Sequence, residues 1–98
     1  MRLSIGTWNV NSVRVRLEAL ARLVREQAPD VLCLQETKVE DHLFPAVEIA
    51  AMGYPHQAVR GMKGYNGVAI LSRLPLARIR FNPGRILRQR RSSRIRWA

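Results

Sequence analysis

Apolar positions recur along the first three-quarters of the chain with two different periods, and the changes of period mark out its elements. Leu3 to Trp8 is short and rich in strand-forming residues, which predicts a first strand. Val13, Leu17, Leu20 and Val24 then follow at spacings of four, three and four, one stripe at helical period, with Ser12 placed to cap it. Arg14, Arg16, Glu18, Arg22 and Glu26 fill most of the other face, with Glu18 and Arg22 in the favourable i,i+4 order, and Pro29 closes the element. "VLCLQE" (Val31 to Glu36) is almost wholly apolar, which predicts a strand covered on both faces.

A shorter helix is expected from Pro45 to Gly53, since proline suits a first helical turn and glycine a helix end. "YPHQAVR" (Tyr54 to Arg60) is a weaker strand pattern. The three glycines of "GMKGYNG" (Gly61 to Gly67) form a turn, and "VAILS" (Val68 to Ser72) completes a hairpin that ends before Pro75. The order strand, helix, strand, helix, hairpin defines an α/β protein whose first two strands, if parallel and in one sheet, are joined by a right-handed crossover.

From Ala77 onward the pattern is lost. The chain has 98 residues, 47% of them hydrophobic, and a net charge of +10, but that charge is unevenly spread. Residues 1–77 hold 9 Lys/Arg against 7 Asp/Glu, whereas residues 78–98 hold 8 Arg and no acid. Such a run can serve as a nucleic-acid-binding arm, because clustered Arg neutralises phosphates. It can also arise as translation out of the native frame in a GC-rich gene, and the abrupt loss of pattern favours that origin. The lone Cys33 forms no internal disulfide and sits in an apolar run, as a small buried hydrophobe does. No apolar run approaches the ~18 residues of a membrane span and no signal-peptide pattern opens the chain, so the expected compartment is the cytoplasm.

Two parallel strands entered from the same side end at the same edge, and here those ends are Asn9 and Glu36. Loops at the C-terminal edge of an open α/β sheet converge on ligands. A carboxylate beside an amide oxygen suits Mg²⁺, which takes one or two protein carboxylates and keeps several waters. Taken alone, both residues also fit ordinary turn chemistry.

Three blocks then agree in order and spacing: "GTWNVNSVRVR", "PDVLCLQETKVED" followed by "FP", and "KGYNGVAILSR". Over roughly residues 1–76 the chain resembles the N-terminal portion of the exodeoxyribonuclease III and abasic-site endonuclease family, within the endonuclease/exonuclease/phosphatase superfamily. The resemblance implies the N-terminal part of a two-sheet α/β sandwich, truncated, with residues 77–98 as an Arg-rich, disordered tail outside it. It implies a Mg²⁺-dependent nuclease, with Mn²⁺ able to replace Mg²⁺, acting on phosphodiesters of double-stranded and abasic-site DNA, in a family whose members are usually monomeric.

Carried over residue by residue, Asn9 and Glu36 match the family's metal-site Asn and Glu, while Asn11 and Lys38 match neighbours that support them. Arg14 matches a basic residue near the DNA backbone, and Tyr65 lies in a loop that approaches the duplex in some relatives. Trp8, Met62, His42 and His56 read as structural or surface positions. The family's later motifs (a Tyr near the phosphate, an Asp-x-Asn pair and a Ser-Asp-His) are not found in residues 77–98. The chain is therefore expected to hold a metal-site half without the half that activates the nucleophile, to be inactive alone, and to expose apolar strand faces. Two other functions are open to it: a superfamily phosphatase or phosphodiesterase acting on a non-DNA substrate, and a non-catalytic nucleic-acid-binding module using the Arg-rich end.

Overall fold

The computed structural model describes residues 3–61, 66–76 and 96–97. Its elements are β1 (Ile5–Asn9), α1 (Leu17–Gln27), β2 (Val31–Gln35), a 3-10 turn (Asp41–Leu43), α2 (Ala46–Ala51), β3 (His56–Arg60), β4 (Val68–Ser72) and β5 (Arg96–Trp97). The five strands form one mixed sheet in the order β3-β4-β2-β1-β5. β1 and β2 are parallel, while β4 pairs antiparallel with both β2 and β3.

Alternation of side chains across the strands sorts the residues into two faces. Trp8, Leu32, Leu34, Ala69 and Leu71 share one face and join a buried cluster with Leu20, Leu23 and Val24 of α1, Ile49 of α2, and Tyr54. Val31 and Cys33 are buried on the opposite face, outside that cluster. β2 lies centrally and is buried along its first four residues, as its unbroken apolar run predicts.

The start of α1 differs from the sequence expectation. The apolar stripe from Val13 is buried as expected, but the helix opens only at Leu17, with Arg16 at its N-cap and no capping side chain. Ser12 does not cap it, because Ser12 is held in the left-handed region (φ 82°) and its backbone N–H is committed to Glu36. Glu18 and Arg22 form no ion pair; Lys38 pairs with Glu36, and His42 Nε2 lies 3.5 Å from a Glu40 carboxylate oxygen. The helix closes on Ala28, left-handed, whose N–H donates to the Val24 carbonyl (3.1 Å) immediately before Pro29.

β1 begins two residues later than the pattern suggests, and α2 is confined to six residues behind Pro45. The 3-10 turn and β5 carry no periodic signal. Arg96 and Trp97 pair antiparallel with Thr7 and Gly6, on the side of β1 away from β2. Tyr65, Met62 and residues 77–95 of the Arg-rich tail lie outside the described residues.

Candidate metal centre

β1 and β2 run in register with Asn9 opposite Gln35, so the chain leaves both strands at one edge. The pairing continues irregularly beyond the strands. The N–H groups of Val10, Ser12 and Val13 donate to the carbonyls of Gln35, Glu36 and Thr37 at 3.0, 2.8 and 3.0 Å. On its other side the same segment meets the hairpin, where Thr37 N–H donates to the Gly67 carbonyl (3.2 Å) and Lys38 N–H to that of Asn66 (2.6 Å). Residues 36–38 are thus hydrogen-bonded from two directions.

That double tether holds unusual backbone. Asn11, Ser12, Glu36 and Lys38 all have left-handed φ values of 47°, 82°, 54° and 53°. Each such residue costs about 1–2 kcal/mol relative to ordinary backbone, so it persists only where surrounding contacts determine it. At Glu36 the left-handed turn ends β2. The Asn9 amide Nδ2 donates to Glu36 Oε2, joining the two strand ends directly.

Asn9 is 7% exposed and the Glu36 side chain 14%, so the pair is largely withdrawn from water. Lys38 Nζ donates to Asn11 Oδ1 at 2.6 Å and lies 3.8 Å from Glu36 Oε1. Its ammonium is much more exposed, and a solvent-screened pair of this kind adds little stability; its effect is to fix where the two oxygens sit.

Several buried polar atoms here have no hydrogen-bond partner: Asn9 Oδ1, Gln35 Oε1 and Thr37 Oγ1, together with Trp8 Nε1 nearby in sequence. Gln35 is anchored through its amide, which donates to Thr7 Oγ1 (2.8 Å) and more weakly to the Cys33 carbonyl (3.4 Å), leaving its oxygen unpaired. Buried acceptors are almost always satisfied, so an unpaired Asn9 Oδ1 beside a carboxylate is the feature that a cation or a hydrogen-bond donor would complete. The donor set is all oxygen. Among the described residues no three or more His, Cys, Asp and Glu lie grouped; one carboxylate with one amide oxygen suits a hard cation that keeps several waters. The residues present fit Mg²⁺.

The structure therefore brings Asn9, Asn11, Glu36 and Lys38 together, as the sequence anticipates. Arg14 lines an open groove of about 510 Å³ with Leu17, His42, Phe44 and Val47, a groove to which Asn9, Asn11, Glu36 and Lys38 do not contribute. His42 lies 3.5 Å from Glu40, and neither it nor His56, on the edge strand, enters the cluster. Trp8 is buried in the core. Thr37 and Gly67 are the neighbours that sequence reasoning passed over. The available signal was a glycine immediately preceding a strand, which marks close approach of another chain segment.

The model of the Endonuclease/Exonuclease/phosphatase family matches residues 6–96. Exodeoxyribonuclease III of Haemophilus influenzae is 39% identical over 67 residues, which is 68% of this chain and 25% of that protein. The DNA repair nuclease APEX1 of Danio rerio is 35% identical over 88 residues, 85% of this chain and 28% of its own length. Among solved structures, an AP endonuclease from Archaeoglobus fulgidus superposes with a TM-score of 0.69 at 49% identity, and a Neisseria 3′ phosphatase, NExo, bound to a product DNA hairpin, does so with 0.69 at 47%. Both cover 74% of this chain and 28% of the relative. The chain thus spans about a quarter of the length of the proteins it matches. With the family model matched over nearly its whole length and the sheet superposing on these relatives, the chain belongs to the Endonuclease/Exonuclease/phosphatase family.

Proposed function

We propose that this chain is the metal-binding part of a DNA-repair nuclease of the exodeoxyribonuclease III type, which hydrolyses phosphodiesters in double-stranded and abasic-site DNA with Mg²⁺ or Mn²⁺. The observation that carries the proposal is the Asn9–Glu36 pair at the C-terminal edge of two parallel strands, with Asn9 Oδ1 buried and unpaired. Relatives named as an exodeoxyribonuclease, an AP endonuclease and a DNA-bound 3′ phosphatase agree in acting on phosphate esters of nucleic acid, which favours DNA over a lipid or small-molecule substrate.

In this reading Glu36 provides the charged oxygen for the metal and Asn9 Oδ1 the neutral one. Asn9 Nδ2 and Lys38 Nζ orient the carboxylate from its two oxygens, while Asn11 fixes Lys38. A bound Mg²⁺ supplies charge neutralisation at a phosphate oxygen. Arg14, on its exposed turn, contacts the DNA backbone, and Tyr65 is a second residue proposed to contact DNA. Residues 77–98 form an Arg-rich segment outside the family part. Coverage of 74% of the chain by the structural relatives supports that division, although the family match runs on to residue 96 and β5 joins the sheet.

The chain by itself lacks the groups that activate a nucleophile and does not incise DNA. The compartment we propose is the cytoplasm; no helix among the described residues is long and apolar enough to cross a membrane. The test is incision of an abasic-site duplex by the 98-residue chain with and without Mg²⁺, beside Mn²⁺ binding followed by water proton relaxation. Metal binding lost in Glu36→Gln, without incision, is the expected outcome. Metal-dependent incision overturns the inactivity, and unchanged metal binding in Glu36→Gln overturns the site.

A further inference from the structure

Two glycines lie where no side chain fits, and both press on the segment that follows Glu36. A Cβ on Gly67 would overlap the Thr37 hydroxyl, and one on Gly61 would overlap the Val39 carbonyl oxygen. They are the two roots of the hairpin: Gly61 follows β3 directly and Gly67 precedes β4. Gly61 does not adopt a positive φ, so space alone requires glycine there. Gly67 has φ 81°, so backbone and space both require it.

Hydrogen bonds fasten the same contact. Gly61 N–H donates to Asp41 Oδ1 at 2.6 Å, and the Thr37 and Lys38 N–H groups donate to the Gly67 and Asn66 carbonyls. Thr37 is fully buried, yet its hydroxyl bonds to nothing, so the residue acts here by filling space. Between these contacts and the strand-end bonds from Ser12 and Val13, Glu36 and Lys38 are held in left-handed backbone that other surroundings would release.

We infer that Gly61, Gly67 and Thr37 are positioning residues for the Glu36 carboxylate. Seating the hairpin roots on residues 37–39 leaves Glu36 only the turn that aims its carboxylate at the Asn9 amide. The placement stands on these contacts alone; its consequence for metal binding rests on the function proposed above.

Gly67→Ala in the 98-residue chain tests this, with Glu36→Ala as the reference. The first readout is the Asn9 side-chain amide signal in a ¹⁵N–¹H spectrum, which reports its bond to Glu36 without any metal. The second is Mn²⁺ affinity. Gly67→Ala should move the Asn9 signal toward its position in Glu36→Ala and weaken Mn²⁺ binding by about 10- to 100-fold, as loss of a supporting contact around a metal ligand does.

Adding Thr37→Ala clears the space above Gly67 and should restore the part of both readouts lost to the overlap, the left-handed backbone at residue 67 keeping the rest. Adding Thr37→Val, which leaves an atom where the hydroxyl was, should restore neither. A merely structural role predicts a lowered urea midpoint in Gly67→Ala with the Asn9 signal of the folded chain unmoved. A wild-type Asn9 signal in Gly67→Ala, or equal behaviour of the two double variants, overturns the inference. If Gly67→Ala unfolds the chain, the same two double variants decide by whether the alanine alone restores a folded spectrum. Equal Mn²⁺ affinity in wild type and Glu36→Ala would sink the metal reading, and the Asn9 signal would still judge the positioning.

Discussion

The two ends of β1 and β2 are built from the same strands and solve opposite problems. Among the described residues, no buried side-chain nitrogen or oxygen at the N-terminal end lacks a hydrogen-bond partner. Ser4 N–H and Oγ both bond Asp30 Oδ2 (2.9 and 3.2 Å), Asp30 N–H donates back to Ser4 Oγ (3.0 Å), and the buried Tyr54 hydroxyl donates to the Pro29 carbonyl at 2.5 Å. Arg73 lies over the Tyr54 ring, 5.4 Å from its centroid, and its N–H donates to the Asp30 carbonyl. At the C-terminal end four residues sit in left-handed backbone and three buried oxygens are unpaired. One end is satisfied and stabilises the fold. The other holds strain and unmet hydrogen-bonding capacity, as sites do when their missing partner is a ligand.

The sharpest way to break this contrast is to exchange the expected consequences of mutation at the two ends. Tyr54→Ala should cost about 3–5 kcal/mol in urea unfolding, a large share of a small domain's stability. Tyr54→Phe should cost about 1–3 kcal/mol through the unpaired Pro29 carbonyl, with Mn²⁺ affinity unchanged. Glu36→Gln should show the reverse pattern. Its metal affinity should fall at least ~100-fold, equivalent to about 2.7 kcal/mol of binding, while its urea midpoint shifts little. A Glu36→Gln chain as destabilised as Tyr54→Ala would end the distinction between the ends.

Smaller effects sharpen it. Ser4→Ala should lower stability by about 0.5–1.5 kcal/mol and leave the Asn9 amide signal in place. Two buried groups outside the Asn9–Glu36 pair respond to alkaline pH. Burial pushes the Cys33 thiol up, and it pushes the Tyr54 phenol up against the lowering effect of Arg73. Both groups therefore favour the folded state while protonated. The unfolded chain releases these protons first, so stability is full below about pH 8.5 for the thiol and about pH 10 for the phenol, and falls as pH rises beyond each. Urea midpoints at pH 7 and pH 10 should differ less in Cys33→Ala combined with Tyr54→Phe than in the wild type. An equal difference would assign the alkaline loss to other groups.

How much was legible in advance follows from the range of the interactions involved. The apolar runs of β2 and β4 predict those strands closely, because burial of a strand is written in its own residues. The stripe from Val13 to Val24 marks the buried face of α1 but not its first turn. Ser12 is drawn to Glu36, twenty-four positions on, instead of capping its own helix. β5 has no periodic signal at all, since two residues pairing with β1 are set by that strand's open edge.

The candidate site divides in the same way. Asn9 and Glu36 could be matched from sequence because parallel strands bring their C-terminal ends to one edge whatever the details of packing. By itself, the sequence determined four of the five strands, the helical stripe, the family resemblance and the identity of the residues at that edge. Only the tertiary structure decided that Glu36 turns left-handed, that Asn9 donates to it and keeps a buried oxygen unpaired, and that Thr37 fills the space above Gly67. Those outcomes depend on contacts between segments tens of residues apart, and no local propensity encodes where two such segments meet.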